Sequence, residues 1–249
     1  MITLIGLGEV GLASYKEISK KTDILGVDID EGLIKKLKSD GFNVSTNLPE
    51  RSDIYIICTY STEQVLDVIS KINYENQPLV IIESTLKPGT VEKIKNKDCD
   101  LVLFPHRYNK DDPEHGIFNL DRIIGGLTEK ATQRAIEFYL EFMDRKMIHT
   151  FPIDIVELSK PLENAYRFIE ISIAEELSLI CSKKNIDFNK LREAVNTKWN
   201  IEIKEARNGI GGKCLPKDIE IINEFLDDNT IFNESIKIDK KYTKNKNGE

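Results

Sequence analysis

A chain of 249 residues, 40% hydrophobic and 31% charged, is long enough to bury one large core or a core plus a smaller domain. Its formal charge of -7 disfavours a general role in binding nucleic acid, which rests on cationic contacts to phosphate. No apolar run reaches the ~20 residues a membrane span needs, the first residues enter structure without a basic leader, and four scattered cysteines with three histidines form no CxxC pair; the expectation is a cytoplasmic protein with no membrane contact, no disulfide framework and no metal site.

Through about residue 152, short apolar runs alternate with amphipathic stretches, the pattern of an α/β domain with a parallel sheet and crossover helices. Strands are predicted at Ile2–Ile5, Ile24–Asp28, Ile54–Cys58, Leu79–Ile82, Leu101–Phe104, Arg122–Ile124 and Met147–Thr150. Helices are predicted at Glu31–Ser39, Thr62–Lys71, Thr90–Lys95 and Glu129–Met143. From about Asp154 one long apolar-periodic stretch runs to about Lys184, with a kink expected at Pro161. Further helices at Phe188–Asn196 and Ile219–Leu226 flank a glycine-rich loop, Asn208–Pro216. Residues 153–232 therefore read as a small all-helical domain. Residues 233–249, rich in lysine and asparagine and lacking apolar periodicity, read as a disordered tail.

Gly6-Leu7-Gly8-Glu9-Val10-Gly11 fits GxGxxG directly after the first strand, and Asp28 closes the second. In this context the glycines allow backbone to approach a pyrophosphate at a helix N-terminus, and Asp28 accepts hydrogen bonds from the adenosine ribose. The negative charge of Asp28 repels a 2′-phosphate, so NAD is expected rather than NADP; FAD uses the same fingerprint. The plain structural alternative is a tight strand-to-helix turn.

Gly209-Ile210-Gly211-Gly212-Lys213-Cys214-Leu215-Pro216-Lys217-Asp218 sets a cysteine between lysines in a glycine-lined loop. Nearby cations favour thiolate, the nucleophilic form. Composition alone allows equally a tight loop with Cys214 as a small buried hydrophobe and Asp218 as the cap of the next helix. Lys160 and Asn164, four apart, share one face of a continuous helix and suit a developing oxyanion. Most such residues are simply solvated.

The Cys214 segment resembles the GxGGxCxPKD signature of the UDP-glucose/GDP-mannose dehydrogenase family. In the same order, Gly6–Gly11 with Asp28 resembles its NAD fingerprint, Glu83-Ser84-Thr85 with Pro88-Gly89-Thr90 its STxxPGT segment, and Glu157, Lys160 and Asn164 its central-helix pattern. The resemblance covers roughly residues 1 to 226. It implies a Rossmann-like doubly wound sheet followed by a helical domain, and oxidation of a nucleotide-sugar C6 alcohol to a uronate with two NAD. Carried over, Cys214 forms a thioester, Lys160 and Asn164 stabilise the oxyanion, Asp218 and Thr85 position or activate water, and Thr85 also lies in the cofactor segment.

Two departures stand out. The family carries a proline-glutamate pair where this chain has Pro105-His106-Arg107; His106 either takes over acid–base work or marks an altered activity. The family also continues into a nucleotide-binding α/β domain without a counterpart in these residues. A separate chain supplying it, a smaller substrate, and a truncated or decayed relative are the three explanations. Two other functions compete: a non-catalytic NAD-binding regulator or scaffold that dimerises through its long helix, and a two-electron β-hydroxyacid dehydrogenase, in which Cys214 has no job. The long apolar helix in so small a region predicts a homodimer.

Overall fold

A computed structural model describes residues 1–112, 114–226 and 230–247. The chain folds as two compact units, Met1–Leu158 and Ser159–Glu249. In the first, the expected alternation appears as β1 (Ile2–Ile5), α1 (Glu9–Ile18), β2 (Ile24–Val27), α2 (Glu31–Ser39), β3 (Val44–Ser45), β4 (Ile54–Ile57), α3 (Thr62–Lys71), β5 (Leu79–Ile82), α4 (Thr90–Ile94), β6 (Asp100–Leu103), β7 (Arg122–Gly126), α5 (Glu129–Tyr139) and β8 (Ile148–Thr150). The sheet order is β3-β2-β1-β4-β5-β6-β7-β8. Only the β6–β7 pairing is antiparallel among those described. This is a doubly wound, Rossmann-type sheet whose order reverses between β1 and β4, so ligand sites belong beyond the carboxyl ends of these strands.

Strands covered on both faces carry little alternation, and β5 is buried at every residue. Successive side chains still divide between faces. Leu4, Ile56, Ile81 and Val102 join one core cluster, while Ile5, Ile57, Val80, Ile82, Leu101 and Leu103 join the other. Local signals start the helices: Asp30 caps α2, Thr128 caps α5, and Ser61 with Gln64 forms a reciprocal capping box on α3. The short β3 was not predicted, because two residues are too few to show a period.

The long predicted helix is α6 (Ile153–Lys183), assigned without a break through Pro161. The boundary between the units falls within it. The second unit continues with α7 (Phe188–Asn196), α8 (Cys214–Phe225) and α9 (Ile231–Asn247). Two expectations are corrected here. The glycine-rich loop ends earlier than predicted, because α8 starts at Cys214 and takes Pro216 into its first turn, where a missing N–H costs no helical bond. The tail predicted as disordered forms α9 through Asn247; of the tail expected at 233–249, residues 248 and 249 lie outside the described residues. Its inward face is Phe232, Ser235, Ile236, Asp239, Tyr242 and Thr243, at helical spacing but half polar. Hydropathy alone does not register such a face.

Candidate functional site

In the first unit the candidate residues gather at the carboxyl ends of the strands. Gly6 follows β1 at φ +94°, and a Cβ on Gly11 would stand 1.8 Å from the Gly6 carbonyl oxygen, so this strand–helix approach admits no side chain. Gly8 is the N-cap of α1, with Glu9 and Val10 in its first turn and the Gly8 side of the loop open. Glu9 pairs with Lys110 at 2.9 Å. The Asp28 carboxylate accepts from Leu7 N at 2.7 Å and Asp30 N at 3.0 Å. It thus ties the glycine loop to the end of β2, and a carboxylate has lone pairs left for further donors. The open loop, the helix N-terminus and the anchored acid fit a dinucleotide.

Thr85 is half-buried after β5. Glu157, buried at the start of α6, accepts from Gly89 N at 2.8 Å and Val91 N at 2.7 Å and so caps the N-terminus of α4. The sequence marked Glu157 only as part of a pattern. The partner amides lie more than sixty positions away in the chain, where no spacing rule reaches.

For His106 the sequence leaves two readings, acid–base work and a mark of altered activity. Its ring is buried, with Nε2 3.0 Å from Ser14 Oγ on α1 and 3.1 Å from Glu83 Oε1. The same Glu83 oxygen accepts from Arg122 Nη2 at 2.7 Å and from the Tyr139 hydroxyl at 3.0 Å. Arg122 also bonds the Phe104 and Pro105 carbonyls and lies over the Phe104 ring, 3.7 Å from its centroid. Burial alone would raise the Glu83 carboxyl, but the adjoining His106 and Arg122 charges outweigh it and hold it down at about 2. His106 is thereby a member of a buried charged cluster that packs against α1.

In the second unit Cys214 is exposed at the first position of α8. One turn on, Asp218 is buried with its Oδ2 accepting from Asn164 Nδ2 at 2.6 Å and its Oδ1 paired with Lys217 Nζ at 2.6 Å. Asn164 therefore already gives one amide hydrogen to Asp218. Lys160, one turn before Asn164 on α6, is largely buried and 3.8 Å from Glu163. Lys160, Asn164, Asp218 and Cys214 thus come from two helices of one unit, while Thr85 and His106 belong to the other. Among the described residues no group of three or more His, Cys, Asp and Glu side chains is arranged to hold a metal, and no helix is long and apolar enough to cross a membrane.

Residues 155–241 match the model of the UDP-glucose/GDP-mannose dehydrogenase family, central domain. A UDP-N-acetyl-D-mannosamine dehydrogenase of Methanocaldococcus jannaschii is 30% identical over 258 aligned positions, covering 87% of this chain and 60% of that protein. A protein of the same name from Campylobacter jejuni is 28% identical, with 87% of this chain and 65% of the relative covered. The chain thus spans about 60% of the length of the first of these curated relatives. The solved UDP-N-acetyl-mannosamine dehydrogenase of Staphylococcus aureus superposes with a TM-score of 0.81 at 26% identity, over 97% of this chain and 68% of that one. The chain is thus similar to nucleotide-sugar dehydrogenases over part of their length, and its residues 155–241 resemble the central domain of the UDP-glucose/GDP-mannose dehydrogenase family.

Proposed function

We propose that the protein oxidises the C6 alcohol of a UDP-N-acetylhexosamine to the uronate, with NAD as cofactor and Cys214 as covalent nucleophile. The observation that carries this is the exposed Cys214 at the head of α8, one turn from the buried Asp218, whose oxygens are held by Asn164 and Lys217. The relatives' names supply the substrate class.

Gly6, Gly8, Glu9, Val10, Gly11 and Asp28 would hold NAD, with Thr85 beside it; when bound it accepts hydride from C6, one molecule for each of two oxidations. The chain's own residues do the rest. Cys214 Sγ adds to the carbonyl carbon of the aldehyde, and the resulting alkoxide is met by Lys160 Nζ and the second Asn164 amide hydrogen. Oxidation of that adduct leaves an acyl thioester on Cys214. Asp218 positions water on the acyl carbon, the C–S bond breaks, and the thiol is restored with release of the acid. The sum is one alcohol, one water and two NAD giving one carboxylate, two NADH and three protons. His106 carries no catalytic step in this scheme, since its Nε2 is engaged with Ser14 and Glu83.

The test is NADH absorbance with UDP-N-acetyl-D-mannosamine and related UDP- and GDP-sugars, run on the chain alone and with a nucleotide-binding domain from a longer relative added. Two NADH per sugar, and complete loss of acid formation in Cys214→Ser, are expected. One NADH per sugar, or an unimpaired Cys214→Ser, would sink the thioester scheme. NAD binding with silence across the panel in both formats would instead support a non-catalytic role.

We further propose a homodimer through α6. Leu162, Tyr166, Ile173 and Ile180 are each 43–61% exposed and fall at heptad spacings along one side of that helix. Light scattering on Ile173→Lys should show a monomer where the parent is a dimer.

A further inference from the structure

The second unit contains a buried carboxyl, Glu175, beside a half-buried one, Asp239, that the scheme above does not use. Glu175, on α6, has no exposed surface, and neither of its oxygens finds a hydrogen-bond donor. Among the described residues, Asp239 on α9 is the titratable group whose charge acts on it. An ionised Glu175 beside an ionised Asp239 would be repelled and would leave both of its own buried oxygens unsatisfied. One proton removes the conflict, because a neutral Glu175 donates to Asp239. Burial first, and then Asp239, push the Glu175 carboxyl up to about 8.

Asp239 in turn grips the chain just ahead of Cys214. Its Oδ1 accepts from Ile210 N at 2.9 Å. One turn further along α9, the Tyr242 hydroxyl bonds the carbonyls of Ala206 at 2.9 Å and Arg207 at 2.8 Å. Gly209 lies between these anchors at φ +94°, and a Cβ there would stand 2.7 Å from Thr243 Oγ1, so the turn fits against α9 only as glycine. Asp239, Tyr242 and Thr243 lie at i, i+3 and i+4 and form one helix face.

We propose that Glu175 and Asp239 are positioning residues: a neutral Glu175 holds Asp239 in place, Asp239 holds the Gly209–Ile210 turn, and the turn sets the head of α8 that carries Cys214. The catalytic meaning of this latch rests on the assignment of Cys214 as nucleophile; the latch itself does not. Loss of the Glu175 proton puts two like charges together and frees the turn.

Amide hydrogen exchange across residues 206–212 of the full chain, from about pH 6 to pH 9 and corrected for intrinsic rates, reads the latch directly. In the parent, protection of Ile210 should fall by up to about tenfold per unit as pH rises from 6 towards about 8 and level off above that, while amides of the sheet unit keep theirs. Glu175→Gln, neutral at every pH, should keep that protection throughout. Asp239→Ala should lack it throughout. Parallel pH profiles for the parent and Glu175→Gln, or full Ile210 protection in Asp239→Ala, would overturn the proposal. If Asp239→Ala does not fold, the Glu175→Gln comparison decides. Where sugar oxidation is measurable, Glu175→Gln should also extend kcat to higher pH with KM unchanged; where it is not, the exchange data decide the latch independently of the Cys214 assignment.

Discussion

The sheet unit and the helical unit each bury a glutamate away from solvent, and they treat its charge in opposite ways. Glu83 meets Arg122, His106 and the Tyr139 hydroxyl at one oxygen and stays ionised, at about 2. Glu175 meets Asp239 and keeps its proton, at about 8. The residue type and degree of burial are the same, so the sign of the partner decides the state. The difference also separates two kinds of scaffold. The sheet unit fixes the end of β6 beside α1 with a buried Arg122–Glu83 ion pair, while the helical unit sets a carboxyl held at about 8 beside the Asp239 that grips the Gly209–Ile210 turn.

The largest test of that contrast is Arg122→Met. It leaves Glu83 buried without its permanent cation, and a loss of about 3–5 kcal/mol is expected in urea denaturation. The double variant Arg122→Met/Glu83→Gln should recover much of it. A single variant within about 1 kcal/mol of the parent would show that the pair contributes little to the sheet unit.

The pH dependence should differ in sign between the two glutamates. Glu83 is depressed in the fold, so its contribution is present above the ordinary carboxylate range and is lost as pH falls through about 2. Glu175 is raised, so its contribution is full below the ordinary value of 4.5 and is lost as pH rises through about 8. Glu175→Gln should therefore gain on the order of 1–3 kcal/mol relative to the parent between pH 5 and pH 8, measured by denaturation along a pH series. A constant difference between the two proteins across that range would remove the titration from Glu175.

Smaller effects test the grip of α9 and the local signals. Tyr242→Phe removes the hydroxyl shared by the Ala206 and Arg207 carbonyls and should cost about 1 kcal/mol, with faster exchange confined to residues around 206–212. Ser61→Ala removes one half of the α3 capping box at a cost of about 0.5–1 kcal/mol. Its effect should leave the exchange of residues 206–212 unchanged, because it lies in the other unit.

Sequence by itself determined the alternation of the first unit, the place of the glycine turn and Asp28, the long helix α6, and the Cys214 segment, because each depends on local spacing or on a short motif. It also singled out Asn164 and Asp218 separately, without indicating that they bond one another. Tertiary structure alone decided the rest. The His106 ring is committed to Ser14 and Glu83 by residues brought together by the sheet order, not by neighbours in the chain. Residues 231–247 are helical because a half-polar face finds hydrogen bonds on a distant loop, a gain that composition does not carry. The opposite charges of Glu83 and Glu175 follow from what each meets once water is excluded, and that is set by packing.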